Sequence, residues 1–209
     1  PSALGVFFSC VIGTFIFFFA VIDPIGTIPV FMAVTSRYEE RIKRRIAIRA
    51  VLISAALLTF FVAAGEIILT ALDIPLAAFE IAGGIVLFIF ALSMIFGESK
   101  PEAELKLADN EKDTAIFPLA VPSIASPGAM LAAVLLTENN RFNLWEQVQT
   151  TLVMYLVLLV ALLLMLAATW IHRFIGTSGA SIISRVMGMI LASVAVTAVL
   201  AGITEYFSL

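Results

Sequence analysis

The chain has 209 residues, of which 62% are hydrophobic and only 13% charged, where an average soluble domain has roughly 45–50% apolar and about 25% charged residues. So few Lys, Arg, Asp and Glu cannot cover a water-soluble fold of this size, but they suffice for a protein that needs polar cover only where it meets water. The formal charge of −3 leaves no basic footprint for nucleic acid, and one cysteine, Cys10, with one histidine, His172, argues against disulfide, redox and zinc chemistry, so no cofactor and no metal is expected.

The mean hydropathy of +1.11 agrees with a membrane protein, and apolar runs between charges predict six spanning helices at 3–34, 46–70, 76–97, 114–138, 146–171 and 182–207. Each is long enough to cross, a crossing needing about 20 residues. A β-barrel would need alternating segments of about ten residues, whereas Val153–Ala168 is apolar on every face. The first span carries no charged n-region of a secretory signal, its first positive charge being Arg37. It contains Asp23-Pro24-Ile25-Gly26-Thr27-Ile28-Pro29 and leads into Ser36–Arg45, where five of ten residues are basic. The second span carries Glu66 a turn from its end. The third opens on Glu80-Ile81-Ala82-Gly83-Gly84 and runs to Gly97, and residues 98–113 then alternate Lys with acid as a charged cytoplasmic linker. The fourth contains Pro118, Pro122 and Ser126-Pro127-Gly128, the fifth ends near His172-Arg173, and the sixth carries Arg185, Gly188 and Gly202.

Orientation follows from Lys and Arg. Arg37, Arg41, Lys43, Arg44, Arg45 and Arg49 follow the first span, Lys100, Lys106 and Lys112 the third, and Arg173 and Arg185 the fifth; Arg141 alone follows the fourth and none the second. Odd-numbered connections are therefore expected in the cytoplasm and both termini outside.

The first and fourth spans are interrupted at corresponding places, because proline removes a backbone donor and clashes with the preceding turn while glycine adds freedom. Each is expected to be two half-helices around an unwound segment. In lipid the freed backbone groups must face protein or a water-filled cavity. The third and sixth spans match at nearly the same offset, Glu80 to Gly97 against Arg185 to Gly202. Three spans is an odd number, so the second copy enters from the other side. The expected architecture is an all-α integral membrane protein, one domain of six helices, built as two inverted three-helix repeats (1–97 and 114–209), an arrangement in which paired interrupted helices point to a binding site. Counting about 20 residues from Ser36 and from Asp113 centres both breaks, near Asp23–Gly26 and Ile124–Pro127, at the midplane.

The stretches Asp23-Pro24-Ile25-Gly26-Thr27-Ile28-Pro29-Val30-Phe31, Phe79-Glu80-Ile81-Ala82-Gly83-Gly84-Ile85 and Pro118…Pro122…Pro127-Gly128-Ala129 resemble the MarC family of bacterial and archaeal inner-membrane proteins, over essentially the whole chain. The resemblance implies a six-helix protein of the cytoplasmic (inner) membrane and, as in some members, transport of small neutral amino acids such as glycine and alanine. The family's second motif usually reads Ala-Gly-Pro-Gly-Ala; here it is Ala125-Ser126-Pro127-Gly128-Ala129, so Ser126 adds a hydroxyl to the expected site.

Asp23 carries two compatible readings. A carboxylate near the bilayer centre costs about 2.5–3.5 kcal/mol on insertion scales and marks ion or substrate paths, and an Asp before a first-turn proline also caps a helix. Ser126 before Pro127 is the corresponding cap, so two positive helix ends should face the midplane, where they favour a substrate carboxylate. The expected substrate-binding residues are Asp23, Pro24, Gly26, Thr27, Pro29, Ser126, Pro127 and Gly128, with backbone N–H groups around Gly26 and Gly128 holding a carboxylate and Asp23 meeting an ammonium. Asp23 and Glu80 are the candidates for a coupling proton. Glu66 and His172 read as interfacial. Gly83, Gly84 and Gly188 read as close helix contacts, though such small-residue faces also suit a homo-oligomer. The partners implied are a small-molecule substrate and the lipid bilayer. Motifs of an intramembrane enzyme are absent, so no catalytic residue is expected; an accessory membrane protein or a small-solute channel is the alternative to a transporter.

Overall fold

The computed structural model describes residues 3–36, 38–96, 115–139 and 142–207. Among these the chain is helical, without strands, in the order α1 (Ala3–Ile22), α2 (Pro24–Thr35), α3 (Glu40–Ala71), α4 (Leu76–Phe96), α5 (Ala115–Ile124), α6 (Pro127–Leu135), α7 (Leu144–Leu166) and α8 (Ala168–Phe207). The charged linker expected at 98–113 lies outside the described residues.

The outer surface is apolar. Leu52, Ile67, Ile89, Leu163 and Leu200 are each more than half exposed, side chains that lipid solvates and water does not. Among the described residues five stretches are long and apolar enough to cross a membrane: Val11–Thr35, Glu40–Ala71, Leu76–Phe96, Leu144–Leu166 and Ser181–Phe207. The fourth span expected at 114–138 is not among them. It is built as α5 and α6, of 10 and 9 residues, each reaching only about half of a 30 Å hydrocarbon core.

The connection expected between 171 and 182 is also different, being wound into α8. Only Ala167 separates α7 from α8, and its N–H still bonds the Leu163 carbonyl at 2.9 Å. No proline stands in that segment, and its charge marks polarity without preventing a helix. The side chains of His172 and Arg173, like that of Cys10, lie outside the described residues.

The most extensive helix contact is between α4 and α8, and glycine sets its register. A side chain at Gly84 would strike Val199 and the Ala195 carbonyl, one at Gly188 would strike Met94 and the Ala91 carbonyl, and one at Gly202 would strike Ile81 and the Ala77 carbonyl. The two helices thus run antiparallel with their backbones nearly touching, as small-residue interfaces allow. Helices α1 and α2 pack against α7 on one side and α8 on the other, while α3 covers α5, α6 and α7. At the opposite end from the basic residues of α3, a capping box starts α7: Glu146 N–H donates to Asn143 Oδ1 at 3.0 Å and Asn143 N–H to Glu146 Oε2 at 2.9 Å.

Candidate functional site

Helix α1 ends and α2 begins at one residue. Asp23 donates its N–H to the Phe19 carbonyl at 3.0 Å, closing α1, while its own carbonyl accepts the Thr27 N–H at 3.1 Å, opening α2. It does both in the left-handed region, at φ 48° and ψ 64°. Asp enters that region more readily than most residues because its short side chain bonds locally, and here Oδ1 accepts the Gly26 N–H at 3.0 Å. Pro24 lacks a donor that a first helical position does not need. The unwound segment expected over Asp23–Pro29 is therefore corrected to a single residue: Gly26, Thr27 and Pro29 are helical, and Pro29 forfeits one intrahelical bond, to the Ile25 carbonyl.

The second break lies at Ala125–Ser126. Pro118 and Pro122, expected as breakers, fall inside α5, which is wound as a π-helix; the Ala125 N–H closes its last turn on the Ala120 carbonyl at 2.8 Å. A π-helix bonds each N–H five residues back instead of four. Ser126 is extended, and its Oγ accepts the Ala129 N–H at 3.1 Å as an N-cap for α6.

The two breaks meet. Ser126 Oγ donates to the Val21 carbonyl at 2.8 Å, the group whose helical partner, the Ile25 N–H, is lost at the first break. Thr27 Oγ1 donates to the Asp23 carbonyl and lies 3.1 Å from Ser123 Oγ. From α3, Ser54 Oγ reaches the Ala120 carbonyl at 3.3 Å. The second break thus supplies a hydroxyl to a carbonyl freed at the first, which is how such a group becomes tolerable away from water, and the Thr27–Ser123 contact joins the two breaks a second time.

The second carboxylate oxygen of Asp23 is held from α8, where Ser184 Oγ donates to Oδ2 at 2.8 Å. Asp23 is 1% and Ser184 2% exposed, and Asp23 stands at the midpoint of Val11–Thr35. Sequence reasoning missed Ser184. A Cβ on Gly26 would lie 2.6 Å from Ser184 Oγ and 2.8 Å from Asp23 Cγ, so only glycine lets this pair close over α2.

Of the expected binding residues, Asp23, Pro24, Gly26, Thr27, Pro29, Ser126 and Gly128 are buried at or beside the two breaks, and Pro127 is exposed. The Gly26 N–H, expected to meet a substrate carboxylate, is taken by Asp23. Gly128 is held close to α4, where a Cβ would come within 2.8 Å of Leu87 Cδ1. Glu80 is buried on α4 but makes no hydrogen bond with Asp23; its neighbours Ala77 and Ile81 pack on Gly202, roughly 25 Å along α8 from Ser184. Glu66 Oε2 accepts the Asn139 N–H at 2.9 Å, fixing the turn after α6. Among the described residues no group of three His, Cys, Asp or Glu could hold a metal ion. The arrangement offers one buried carboxylate with the Ser184 hydroxyl on it, further hydroxyls from Thr27, Ser123 and Ser126 at the breaks, and two helix N-termini, a set that complements a small group bearing both charges.

The family model for MarC family integral membrane proteins matches residues 8–207. A UPF0056 membrane protein of Archaeoglobus fulgidus is 32% identical over 197 residues, covering 90% of this chain and 89% of that protein. One from Methanocaldococcus jannaschii is 32% identical over 188 residues, covering 88% and 91%, and one from Bacillus subtilis is 30% identical over 205 residues, covering 96% and 97%. No solved structure matches the chain.

Proposed function

For a chain that belongs to the MarC family of integral membrane proteins, we propose the function of a secondary transporter of small neutral amino acids such as glycine and alanine. The observation that carries this reading is the Asp23 carboxylate, buried where two helix breaks distant in sequence are hydrogen-bonded together. A charge in that position is costly and is kept where it meets a solute or an ion. Asp23 receives the substrate ammonium, exchanging Ser184 for it, and the N-terminal ends of α2 and α6 face the substrate carboxylate. Asp23 is also the first candidate for a coupling proton. Glu80, buried on α4, is the second.

In this reading α5 and α6 together make the fourth crossing, and residues 1–97 and 114–209 form two inverted three-helix repeats joined by 98–113. The antiparallel α4–α8 pair supports that pairing of third with sixth span. The basic segment 37–45 lies on the cytoplasmic side of the inner membrane of a bacterium or archaeon, with both termini outside. No enzymatic step and no nucleic-acid partner is proposed.

Counterflow in proteoliposomes loaded with unlabelled amino acid tests the proposal, using labelled glycine, alanine and serine with and without a pH gradient. Saturable uptake, accelerated by the gradient, is expected. Its absence for all three solutes would overturn the reading in favour of an accessory membrane protein, and uptake that neither saturates nor responds to the gradient would indicate a channel. Unchanged glycine and alanine affinity in Asp23→Ala would remove the ammonium contact.

A further inference from the structure

Helix α7 packs against α1 and α2, and its buried Val153, Val157, Ala161 and Met165 form one stripe. Each end of the stripe lines a cavity. At the basic end a cavity of about 130 Å³ lies between Phe31 and Thr35 of α2 and Met165 of α7, beside Lys43 and Arg44. At the other end a cavity of about 150 Å³ lies between Thr14 of α1 and Gln149 and Thr150 of α7. Between them Phe18, Val21 and Ile22 of α1 and Val157 and Ala161 of α7 are wholly buried, and Asp23 stands in that closed stretch.

The 150 Å³ cavity has polar character that its closure does not use. The Gln149 amide nitrogen is buried and has no hydrogen-bond partner among the described residues, a condition that asks for an acceptor from elsewhere. One turn earlier on the same face the exposed Glu146 also lines the cavity, its Oε2 accepting the Asn143 N–H in the cap and its Oε1 taking no part in it. Residues three apart on a helix are neighbours, so an amide donor and a carboxylate stand side by side, matching the two ends of a small zwitterion. An engineered cavity of this volume admits benzene, which sets the scale at about six non-hydrogen atoms, the size of alanine.

We propose that this cavity is an entry subsite for a small zwitterion, with the Gln149 amide donating to its carboxylate and Glu146 facing its ammonium, at the end of the α1–α7 seam remote from the basic residues of α3. The subsite rests on the transport reading for its role and not for its chemistry. Solute held there is one seam-opening away from Asp23, about nine residues or roughly 14 Å further along α1.

Two measurements test it, with alanine as the probe. In proteoliposomes Gln149→Leu should raise the alanine KM about tenfold, the loss of one charge-assisted hydrogen bond, with kcat nearly unchanged and thermal stability not reduced, because leucine removes an unpartnered amide. A packing role alone would leave KM where it was. In a Cys10→Ser background, Gln149→Cys should react with a membrane-impermeant maleimide, and millimolar alanine should slow that reaction severalfold. Absence of labelling, or labelling indifferent to alanine, together with an unchanged KM in Gln149→Leu, overturns the subsite while leaving transport intact. Alanine-protected labelling in a protein that performs no counterflow upholds the subsite and overturns the transport reading.

Discussion

Replacing Ser184 by alanine should weaken the fold and strengthen solute binding at once. The Ser184 Oγ to Asp23 Oδ2 bond is 2.8 Å long and buried at both ends. Asp23 keeps its other donor, the Gly26 N–H at 3.0 Å, so the carboxylate is left half satisfied, not orphaned, and the unliganded protein should lose about 1–2 kcal/mol. At roughly 2–4 °C per kcal/mol for a chain of this size, the unfolding midpoint falls by several degrees. The same serine is the group that an ammonium must replace at Oδ2. Removing it takes away a competitor of comparable strength, so labelled alanine should bind about five- to tenfold tighter, the equivalent of 1–1.4 kcal/mol. The assay is equilibrium binding of labelled alanine to purified protein, paired with thermal unfolding of the same preparation. A lower midpoint with affinity unchanged or weakened would show that Ser184 only braces the helices and that Asp23 does not exchange partners.

Asp23→Asn retains a side chain that accepts the Gly26 N–H and tolerates the left-handed backbone, so its unfolding midpoint should stay near that of the parent protein while alanine affinity falls ten- to hundredfold through loss of the charge; equal affinity in the two proteins would exclude an ammonium contact. Gly26→Ala places a methyl within 2.6 Å of Ser184 Oγ and 2.8 Å of Asp23 Cγ, which should cost about 1–3 kcal/mol and abolish binding, read by thermal unfolding and by labelled alanine. Ser126→Gly leaves the Val21 carbonyl without its donor and should lower stability by about 1–2 kcal/mol, most of it from that carbonyl, since glycine is itself a fair N-cap. Gly188→Leu must push Met94 and the Ala91 carbonyl away, so it should disrupt the α4–α8 pair and reduce the yield of folded protein on size-exclusion chromatography, whereas Leu200→Val, at an outward-facing position, should not.

Both caps were legible because capping chemistry is local. Asp before Pro24 and Ser before Pro127 fix their partners three residues on, at Gly26 and Ala129, and no knowledge of the rest of the chain is needed. The prolines of α5 misled for the same reason. Their local effect is to end an α-helix, but a π-turn accommodates them, and the choice between breaking and widening depends on what packs outside, including Ser54 on the Ala120 carbonyl. The joining of α7 to α8 was equally out of reach, since a charged segment without proline can be a loop or a helix.

Ser184 shows what kind of fact a sequence withholds. In an apolar helix a hydroxyl ordinarily returns its proton to the carbonyl four residues back, as Thr70, Thr151, Ser193, Thr197 and Thr204 all do here. Nothing in the surrounding residues separates Ser184 from these, because its different partner depends on the register of α8 against α2, 161 positions away. Yet the need for such a residue can be argued from Asp23 alone. Its local chemistry occupies one oxygen with the Gly26 N–H, and a carboxylate buried among apolar helices cannot leave the second oxygen bare without a penalty comparable to a full hydrogen bond. A donor from another helix was therefore required in any closed state, and because that donor is a single neutral hydroxyl it can be exchanged for an ammonium at modest cost. A lysine or arginine there would have locked Asp23 into a permanent ion pair.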